Sequence, residues 1–323
     1  MRAYRVSSFD ISPTIAEVDV RSPKSGEVAV AMHACGLNFA DLLLLRGKYQ
    51  DTPDLPFVPG LELAGVIEAV GADVDGLAVG DRVAVFSGQG GLAETGVFPV
   101  DRVTRIPDEM SFADAAAFQI TYGTGLVALD HCARLQPGET LLVTGAAGGV
   151  GLTAVEIGKR LGARVIAHAR GAEKLAVAKA AGADHLIDAS EDLRQSVKDL
   201  GGADVVYEAI GGEVWQAAFR ATNPGGRLLP IGFAGGEVPQ IPANHLLVKN
   251  LSVIGFYFGG YLKSHPAVIR GAIERLLQWY RDGSLRPHIS HRLPLDQVSE
   301  GLDLLRSRQA TGKVVIMIRP DQR

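Results

Sequence analysis

Short runs of apolar and β-branched residues, broken by glycine, proline and aspartate, fill the first third of the chain. Within residues 27–36, 63–71 and 81–88, apolar side chains alternate with other types between turn signals. Alternation with a period of two is typical of a β-strand that buries one face. We therefore predict that this part of the chain forms a compact, mostly antiparallel barrel.

From about residue 121, strand-length apolar runs alternate with helix-length segments. Gly162 and Gly182 end the first two helical segments, where a helix favours a residue that tolerates the left-handed conformation. Because buried parallel strands are joined by helical crossovers, this alternation predicts a parallel sheet covered on both faces. The predicted strands are residues 140–144, 164–169, 204–210 and 227–232, and the predicted helices are residues 150–162, 172–182 and 213–222.

After about residue 260 the alternation stops. Residues 267–283 have the spacing of an amphipathic helix, and residues 313–318 predict a terminal strand. We interpret this tail as a return to the first domain, so that one domain is inserted in the other. The predicted class is α/β, with a catalytic domain from residues 1–120 and 261–323 and a nucleotide-binding domain from residues 121–260.

Charge and cysteine content narrow the classes of protein that fit. The chain has 323 residues, of which 32 are basic and 36 acidic. This balance gives no broad cationic surface and argues against a dedicated nucleic-acid binder. Cys35 and Cys132 are too few for a disulfide scaffold and agree with a reducing compartment. We see no leader peptide and no uncharged stretch long enough to span a bilayer, so we expect a cytoplasmic protein that does not enter the membrane.

A glycine-rich break separates a strand from a helix in residues 141–157, LLVTGAAGGVGLTAVEI. The pattern from Ala146 to Gly151 is G-x-G-x-x-G with alanine in first place. The second glycine lets the backbone approach a pyrophosphate, and the helix N-terminus supplies N–H donors. The surrounding strands favour a dinucleotide site over a simple tight turn. The predicted contacts are Ala147, Gly148, Gly149, Val150 and Gly151.

The end of the second strand of this domain indicates which dinucleotide binds. An NAD site usually has an acidic residue there, which holds the ribose 2′-hydroxyl. Here the strand is followed by Arg170, and Lys174 is close by. A guanidinium can bind a 2′-phosphate that a carboxylate would repel, so we predict NADPH as the cofactor. The alternative is that both cations are simply solvated, and Glu173 between them weakens the prediction.

With the first domain included, the chain resembles the medium-chain dehydrogenase/reductase superfamily, and within it the zinc-free NADPH:quinone oxidoreductases, the group of zeta-crystallin. The resemblance implies a GroES-like β-barrel domain with an inserted Rossmann domain. It is carried by CGLNFADLLLLRGKY (35–49), PFVPGLELAGVIEAVG (56–71), GDRVAVF (80–86), AAGGVG (146–151), NPGGRLLPIG (223–232) and ATGKVV (310–315).

Zinc alcohol dehydrogenases of this superfamily have cysteine and histidine ligands where this chain has Asn38 and Leu61. Glu62 is present, but catalytic zinc needs about three protein ligands, so we expect no metal. His288 and His291 have no third ligand nearby in sequence, and we interpret them as ordinary polar residues at a strand edge. Without a Lewis acid, alcohol oxidation is disfavoured, and a quinone or an activated alkene fits better as electron acceptor.

Two residues of the first domain are candidates for catalysis. The resemblance places Asn38 beside the nicotinamide, in contact with its ribose or with the acceptor oxygen; the alternative is a loop-capping asparagine. Tyr49 lies in a segment similar to the family's active-site loop, and its neutral phenol can donate to a developing oxyanion. Its alternative is a packed aromatic side chain. We expect Asp41 to hold this loop in place rather than to transfer protons.

Further cofactor contacts are implied by the resemblance alone. In similar enzymes a threonine at the position of Thr121 meets the nicotinamide end of the cofactor. For Phe233, Tyr257 and Phe258 the alternative is packing in the core, and core packing is the better interpretation of Phe256. For Lys313 the alternative is an exposed lysine at a strand end. The remaining implied contacts are Gly232, Phe233, Tyr257, Phe258 and Lys313.

Two departures from the family pattern bear on binding. Ala189 stands where relatives often have a tyrosine that stacks on adenine, and Leu92 stands where an aromatic residue is common.

The uncharged residues 251–260 predict the last edge strand of the inserted sheet. An exposed apolar edge invites pairing, and similar proteins dimerise through it, so we expect a homodimer.

The leading hypothesis from the sequence is an NADPH:quinone reductase. An NADPH-dependent reductase of alkenals, enones or enoyl thioesters would use the same residues, with Tyr49 as proton donor to the α-carbon. A non-catalytic protein that keeps the NADPH site is a third alternative.

Overall fold

A computed structural model describes residues 1–320 of the chain. They form two compact units, one from residues 1–120 together with residues from 275 onward, and one from residues 121–274. The sequence placed the second boundary at residue 261. The structural boundary lies later, within the helix Pro266–Arg281, because that helix continues without a break from one unit into the other.

The first segment of the first unit is mostly strands. One short helix follows the long strand β3, and a second lies near the end of the segment. The elements are β1 (Arg2–Arg5), β2 (Thr14–Glu17), β3 (Glu27–Leu37), α1 (Phe39–Leu44), β4 (Glu62–Val70), β5 (Arg82–Phe86), β6 (Thr95–Pro99), β7 (Val103–Arg105) and α2 (Phe112–Ala116).

The second unit begins within helix α3 (Gln119–Leu126), which is followed by the π-helical turn Val127–Cys132. Its strands alternate with helices, as the sequence predicts. They are β8 (Thr140–Thr144), α4 (Gly149–Arg160), β9 (Arg164–Ala169), α5 (Ala172–Ala180), β10 (His185–Asp188), α6 (Leu193–Asp199), β11 (Ala203–Glu208), α7 (Gly212–Ala221), β12 (Thr222–Pro230), α8 (Ala243–Lys249), β13 (Ser252–Val253) and α9 (Phe258–Ser264).

The strands of the second unit form a six-stranded parallel sheet in the order β10-β9-β8-β11-β12-β13. The chain starts in the middle with β8, adds β9 and β10 on one side, and then adds β11, β12 and β13 on the other. The order therefore reverses between β8 and β11, and ligands of such sheets bind at the carboxyl ends of the strands next to this point. The predicted Rossmann-type sheet is confirmed.

The strand predicted within residues 251–260 is present at the edge of the sheet, but it is short. Only Ser252–Val253 pairs with β12, at Arg227 and Leu228, and Phe258 already begins helix α9. The strand has little room because Asn250, in the left-handed conformation, ends helix α8 just before it. The sheet does end at this strand, so the position of the edge is as predicted and its length is not.

The last part of the chain returns to the sheet of the first unit. After α10 (Pro266–Arg281) come β14 (Ile289–Pro294), α11 (Val298–Arg306) and β15 (Lys313–Met317). The sheet has the order β14-β15-β3-β4-β5-β7, and β6 also pairs with β3. All its pairings are antiparallel except that of β14 with β15. The pairing of β15 with β3 places Val314 opposite Leu37, and this register positions the site described below.

Candidate active site

The glycine-rich loop connects β8 with α4 in the second unit. Gly148 precedes the first residue of α4 and is exposed, and its N–H donates to the carbonyl of Gly145 at 2.9 Å. A Cβ on Gly151 would lie 2.2 Å from the oxygen of Gly145, so only glycine allows the helix to start this close to the strand. The first N–H groups of a helix have no partner within it. The loop therefore presents backbone donors at the carboxyl edge of the sheet, where a phosphate group fits.

Glu208, at the end of β11, is a buried acid that the sequence analysis missed. Its carboxylate accepts hydrogen bonds from the Thr144 hydroxyl at 2.9 Å, from the Ile210 N–H at 2.8 Å and from the Gly211 N–H at 2.9 Å. Burial raises the pKa of Glu208. Glu208 thus connects the end of β8 with the loop after β11. In the sequence, its position between a buried strand and Gly211-Gly212 could have indicated it as a site residue.

Gly232 and Phe233 lie in the loop after β12. This loop is bonded to the preceding one, since the N–H of Ala234 donates to Ala209 O at 3.1 Å and that of Gly235 donates to Ile210 O at 2.7 Å. The Phe233 side chain is exposed. The loops after β8, β11 and β12 are therefore connected along the carboxyl ends of the strands, and Phe233 lies in the last of these loops.

Arg170 and Lys174 lie on both sides of the start of α5. Arg170 is exposed, and Lys174 is in the first turn of the helix. Asp188, at the end of β10, is an additional acid that the sequence did not indicate, and it accepts the N–H of Gly171 at 2.6 Å. Hydrogen bonds from Ser190 and Gly171 hold the pKa of Asp188 below its usual range. One carboxylate thus stands beside the two cations.

Thr121 and Phe258 are in the packed interior of the second unit. Thr121 is buried, and its carbonyl accepts the hydroxyl of Thr153 on α4 at 3.0 Å. Phe258 is buried as well, and a Cβ added to Gly123 on α3 would lie 2.6 Å from its ring. Tyr257, which precedes it, is partly exposed. Packing against α3 thus accounts for the position of Phe258.

In the first unit, Asp41 fixes the loop that carries Asn38. Asp41 is fully buried, and its carboxylate accepts the N–H of Asn38 at 2.8 Å and the N–H of Gly60 at 3.1 Å. Burial raises its pKa to about 7, although both hydrogen bonds act in the opposite direction. Gly60 has a φ of 100° and lies against Cys35 and Leu92, where a side chain would collide. Asp41 therefore joins two segments that are far apart in sequence.

Lys313, on β15, is buried next to Asn38. Its ammonium donates to Leu37 O at 2.8 Å, to Asn38 Oδ1 at 2.7 Å and to Glu62 Oε1 at 2.8 Å. Glu62 Oε1 also accepts from Asn38 Nδ2 at 3.0 Å, and its Oε2 accepts the N–H of Ile120 at 3.0 Å. Lys313 is 4% exposed and Glu62 is 1% exposed. The alternative of an exposed lysine at a strand end is therefore wrong, because this lysine neutralises a buried acid.

Tyr49 follows α1 in the same unit. It is partly buried, and its carbonyl closes a turn by accepting the Thr52 hydroxyl at 2.6 Å. Leu92, which stands where an aromatic residue is common in the family, lies in the same hydrophobic cluster as Cys35. His288 bonds Thr311 at 2.9 Å through Nε2, and burial lowers its pKa. Within residues 1–320, no group of three or more His, Cys, Asp and Glu side chains is arranged to hold a metal ion.

Among residues 1–320, no helix is both long enough and apolar enough to cross a lipid bilayer.

Comparison with known proteins agrees with both units. The family described as alcohol dehydrogenase GroES-like domain matches residues 24–108, and the family described as zinc-binding dehydrogenase matches residues 149–278. These matches confirm the predicted GroES-like domain and the predicted Rossmann-type domain.

Individual relatives point to one group. The quinone oxidoreductase-like protein 2 homolog of Nematostella vectensis is 45% identical over 90% of this chain and 82% of its own. The quinone oxidoreductase of Thermus thermophilus, solved alone and with NADPH, superposes with a TM-score of 0.87 at 33% identity over 98% of this chain and 100% of its own. A mycobacterial protein in complex with NADPH gives a TM-score of 0.92 at 27% identity over 98% and 100%. The chain therefore belongs to the medium-chain dehydrogenase/reductase superfamily, and within it to the zeta-crystallin-like quinone oxidoreductase group.

Proposed function

We propose that this oxidoreductase transfers reducing equivalents from NADPH to a quinone without the help of a metal ion. The observation that carries the proposal is the edge of the second unit, where backbone donors at the start of α4 share the carboxyl ends of the strands with Arg170 and Lys174. The Thermus thermophilus relative, named a quinone oxidoreductase and solved with NADPH, supports the same cofactor and acceptor.

The residues of the second unit fit NADPH chemically. We assign the pyrophosphate to the backbone of residues 147–151, because Gly148 has no side chain to block its approach and Gly151 lets the helix start close to the strand, where a Cβ would lie 2.2 Å from Gly145 O. Arg170 and Lys174 bind the 2′-phosphate, which needs positive charge in spite of Asp188 nearby. Bound NADPH supplies a hydride from its nicotinamide. We assign Gly232, Phe233 and Tyr257 to the nicotinamide end, whereas the buried Thr121 and Phe258 support it from the interior of the unit.

The residues of the first unit at the positions of the zinc ligands support a reaction without zinc. Asn38 and the buried Leu61 stand at the positions of two zinc ligands, and neither replaces a thiolate or an imidazole. Glu62 already holds the ammonium of Lys313, whose positive charge disfavours a second cation there. We assign Tyr49 as the hydrogen-bond donor to the reduced acceptor, because a neutral phenol stabilises a developing oxyanion without metal.

We also propose a homodimer and a cytoplasmic location. Strand β13 ends the sheet, and α8 beside it exposes Leu247 and Val248, which are 79% and 78% exposed. Apolar surface next to an unpaired strand edge favours pairing with a second copy. Cys35 and Cys132 are free thiols, which agrees with a reducing compartment.

The test of the cofactor assignment is a fluorescence titration of the wild type and two variants with NADPH and NADH. Because a charge-assisted hydrogen bond to phosphate is lost, Arg170→Ala should weaken NADPH binding by about ten- to a hundredfold and leave NADH binding nearly unchanged. Arg194→Ala removes an exposed cation from α6 and should change neither. Equal loss of both coenzymes in Arg170→Ala would contradict the assignment.

The test of the acceptor is a steady-state screen of NADPH oxidation with simple quinones, enones and acyl thioesters. We expect turnover with quinones. Turnover only with enones or acyl thioesters would replace the quinone by an activated alkene, and NADPH binding without any turnover would indicate a non-catalytic protein.

A further inference from the structure

We propose that Lys313 and Glu62 are positioning residues that fix the Asn38 amide so that it accepts a hydrogen bond from a ligand hydroxyl and has none to donate. The inference rests on the proposed function only in identifying that hydroxyl as one of the coenzyme. It decides between the two contacts that the resemblance allows for Asn38, a ribose and an acceptor oxygen, in favour of the ribose.

The chemistry of its neighbours determines which atom of the Asn38 amide is oxygen. An ammonium group has only donors, and a carboxylate has only acceptors. The Asn38 atom 2.7 Å from Lys313 Nζ must therefore be Oδ1, and the atom 3.0 Å from Glu62 Oε1 must be Nδ2. Rotating the amide by half a turn would place NH₂ against the ammonium and oxygen against the carboxylate. Two repulsive contacts disfavour that orientation.

Most hydrogen-bonding positions of the Asn38 amide are already occupied within the protein. Nδ2 carries two hydrogens, and these go to Glu62 Oε1 at 3.0 Å and to Gly36 O at 3.2 Å. Oδ1 has two lone pairs, and Lys313 occupies one. Asn38 is 9% exposed, so a small part of its surface is open to a ligand. A ligand that reaches the amide therefore finds no free N–H, and it meets the second lone pair of Oδ1 in competition with the backbone N–H of Asp41 at the start of α1.

Lys313 has no hydrogen left for a ligand either. Its three ammonium hydrogens are matched by Leu37 O, Asn38 Oδ1 and Glu62 Oε1. Because the lysine and the acid are both almost fully buried, neither reaches substrate, and both act through Asn38. The positive charge fixes the amide oxygen, and the carboxylate fixes the amide nitrogen.

A direct test uses the apo protein. The chain has four asparagines, so selective ¹⁵N labelling of asparagine gives a simple spectrum of side-chain amides. We expect the Asn38 amide hydrogens to exchange slowly with solvent in the wild type, since both are donated inside the protein. In the double variant Lys313→Met/Glu62→Gln they should exchange faster by up to about tenfold, because this is the factor that one hydrogen bond of ordinary strength is worth. Fast exchange in the wild type would overturn the proposal.

Stability measurements separate charge pairing from positioning. Lys313→Met alone leaves Glu62 buried without its counter-ion and should lower Tm by about 5–10 °C. The double variant removes both charges and should recover part of that loss. Lys24→Met, which changes an exposed lysine of the same unit, should leave Tm and amide exchange unchanged. A double variant that is no more stable than Lys313→Met would contradict the pairing.

Kinetics give the second readout. Asn38→Ala should raise the dissociation constant for NADPH by up to about tenfold, the effect of one hydrogen bond. It should change kcat by less than about threefold, whereas loss of an oxyanion donor typically costs 10²- to 10³-fold in kcat. In the Lys313→Met/Glu62→Gln background, Asn38→Ala should add little, because the amide is no longer held. A loss of about a hundredfold in kcat, or full additivity, would overturn the inference.

Failure of the proposed function gives a different result. If the wild type neither binds NADPH nor reduces quinones, the proposed function is wrong. The amide exchange and the Tm of the apo variants then still decide whether Lys313 and Glu62 hold Asn38.

Discussion

Tyr207 lies within β11 with its side chain fully buried, and its hydroxyl has no hydrogen-bond partner among residues 1–320. Burial raises the pKa of its phenol, so the group stays neutral. An unpaired buried hydroxyl costs free energy, because water no longer bonds to it. The buried ring of Tyr207 therefore stabilises the fold by packing, whereas its unpaired hydroxyl destabilises it.

Tyr207→Phe should therefore raise the free energy of unfolding by about 1 kcal/mol, since the ring is kept and the unpaired oxygen is removed. Chemical denaturation followed by circular dichroism would measure the change. Tyr4→Phe is the matched control: it removes a hydroxyl that lies 3.1 Å from Ser299 Oγ, and it should not stabilise the protein. A loss of stability in Tyr207→Phe would show that the hydroxyl has a partner after all.

At the scale of residues, the sequence predicts the site where the signal is local. Gly148 and Gly151 are three positions apart and belong to one turn, so their pattern indicates the phosphate loop directly. The partners of Lys313 are 251 and 275 positions away, and only the register of β15 against β3 brings them together. Similarly, the pairing of β9 with β10 brings Asp188 to the N–H of Gly171, the residue after Arg170. Contacts between residues so far apart in the chain cannot be predicted from the spacing of residues in the sequence.

At the scale of elements, α3 and α4 are joined by a hydrogen bond in which the hydroxyl of Tyr122 donates to Glu156 at 2.6 Å. Burial raises the pKa of Glu156 to about 7. Between a pKa near 4.5 in the unfolded chain and about 7 in the folded one, only the folded state keeps the proton. The contribution of this group to stability is therefore complete below that window and is lost as the pH rises through it.

Glu156→Gln should remove this dependence, because glutamine keeps an acceptor for Tyr122 and does not ionise. At pH 8 the variant should be more stable than the wild type by about 1–2 kcal/mol, and at pH 4 the two should be about equal. Thermal unfolding at several pH values would measure the difference. Asp41, whose pKa is also raised to about 7, is common to both proteins and cancels in the comparison. A difference that is independent of pH would contradict the assignment to Glu156.

Elements were predictable where the periodicity agrees with the final packing. Strands β8 and β9 have the predicted bounds, because a buried parallel strand is apolar on both faces and is flanked by glycine or a polar turn. Residues 251–260 are as apolar as those strands but end in a helix. A short apolar run does not distinguish a strand from a buried helical segment, and the choice is made by tertiary contacts such as that of Phe258 with Gly123.

At the scale of the whole molecule, the question is what covers the apolar residues near β13. Leu247 and Val248 are exposed on α8, and Val238 and Ile241 are exposed in the segment before it. Single exposed apolar residues are common, but the adjacent Leu247 and Val248, on the helix that precedes the edge strand β13, favour an interface. This surface supports the proposed homodimer.

Leu247→Glu should shift the proposed dimer to monomer at micromolar concentration, because a charge is then buried against apolar surface on association. Size-exclusion chromatography with light scattering would measure the mass. Val79→Glu, at a position 63% exposed in the first unit, serves as control and should leave the dimer intact. A wild type that is already monomeric would refute the homodimer.

Strand β15, which carries Lys313, pairs with β3 from near the start of the chain. A ribosome therefore completes Asn38, Glu62 and the whole second unit before it synthesises the cation that neutralises Glu62. During that interval the nascent first unit holds an acid without its counter-ion, so its sheet cannot reach its final stability. Assembly of this centre is thus a late event of biosynthesis, whatever the order in which the other strands associate.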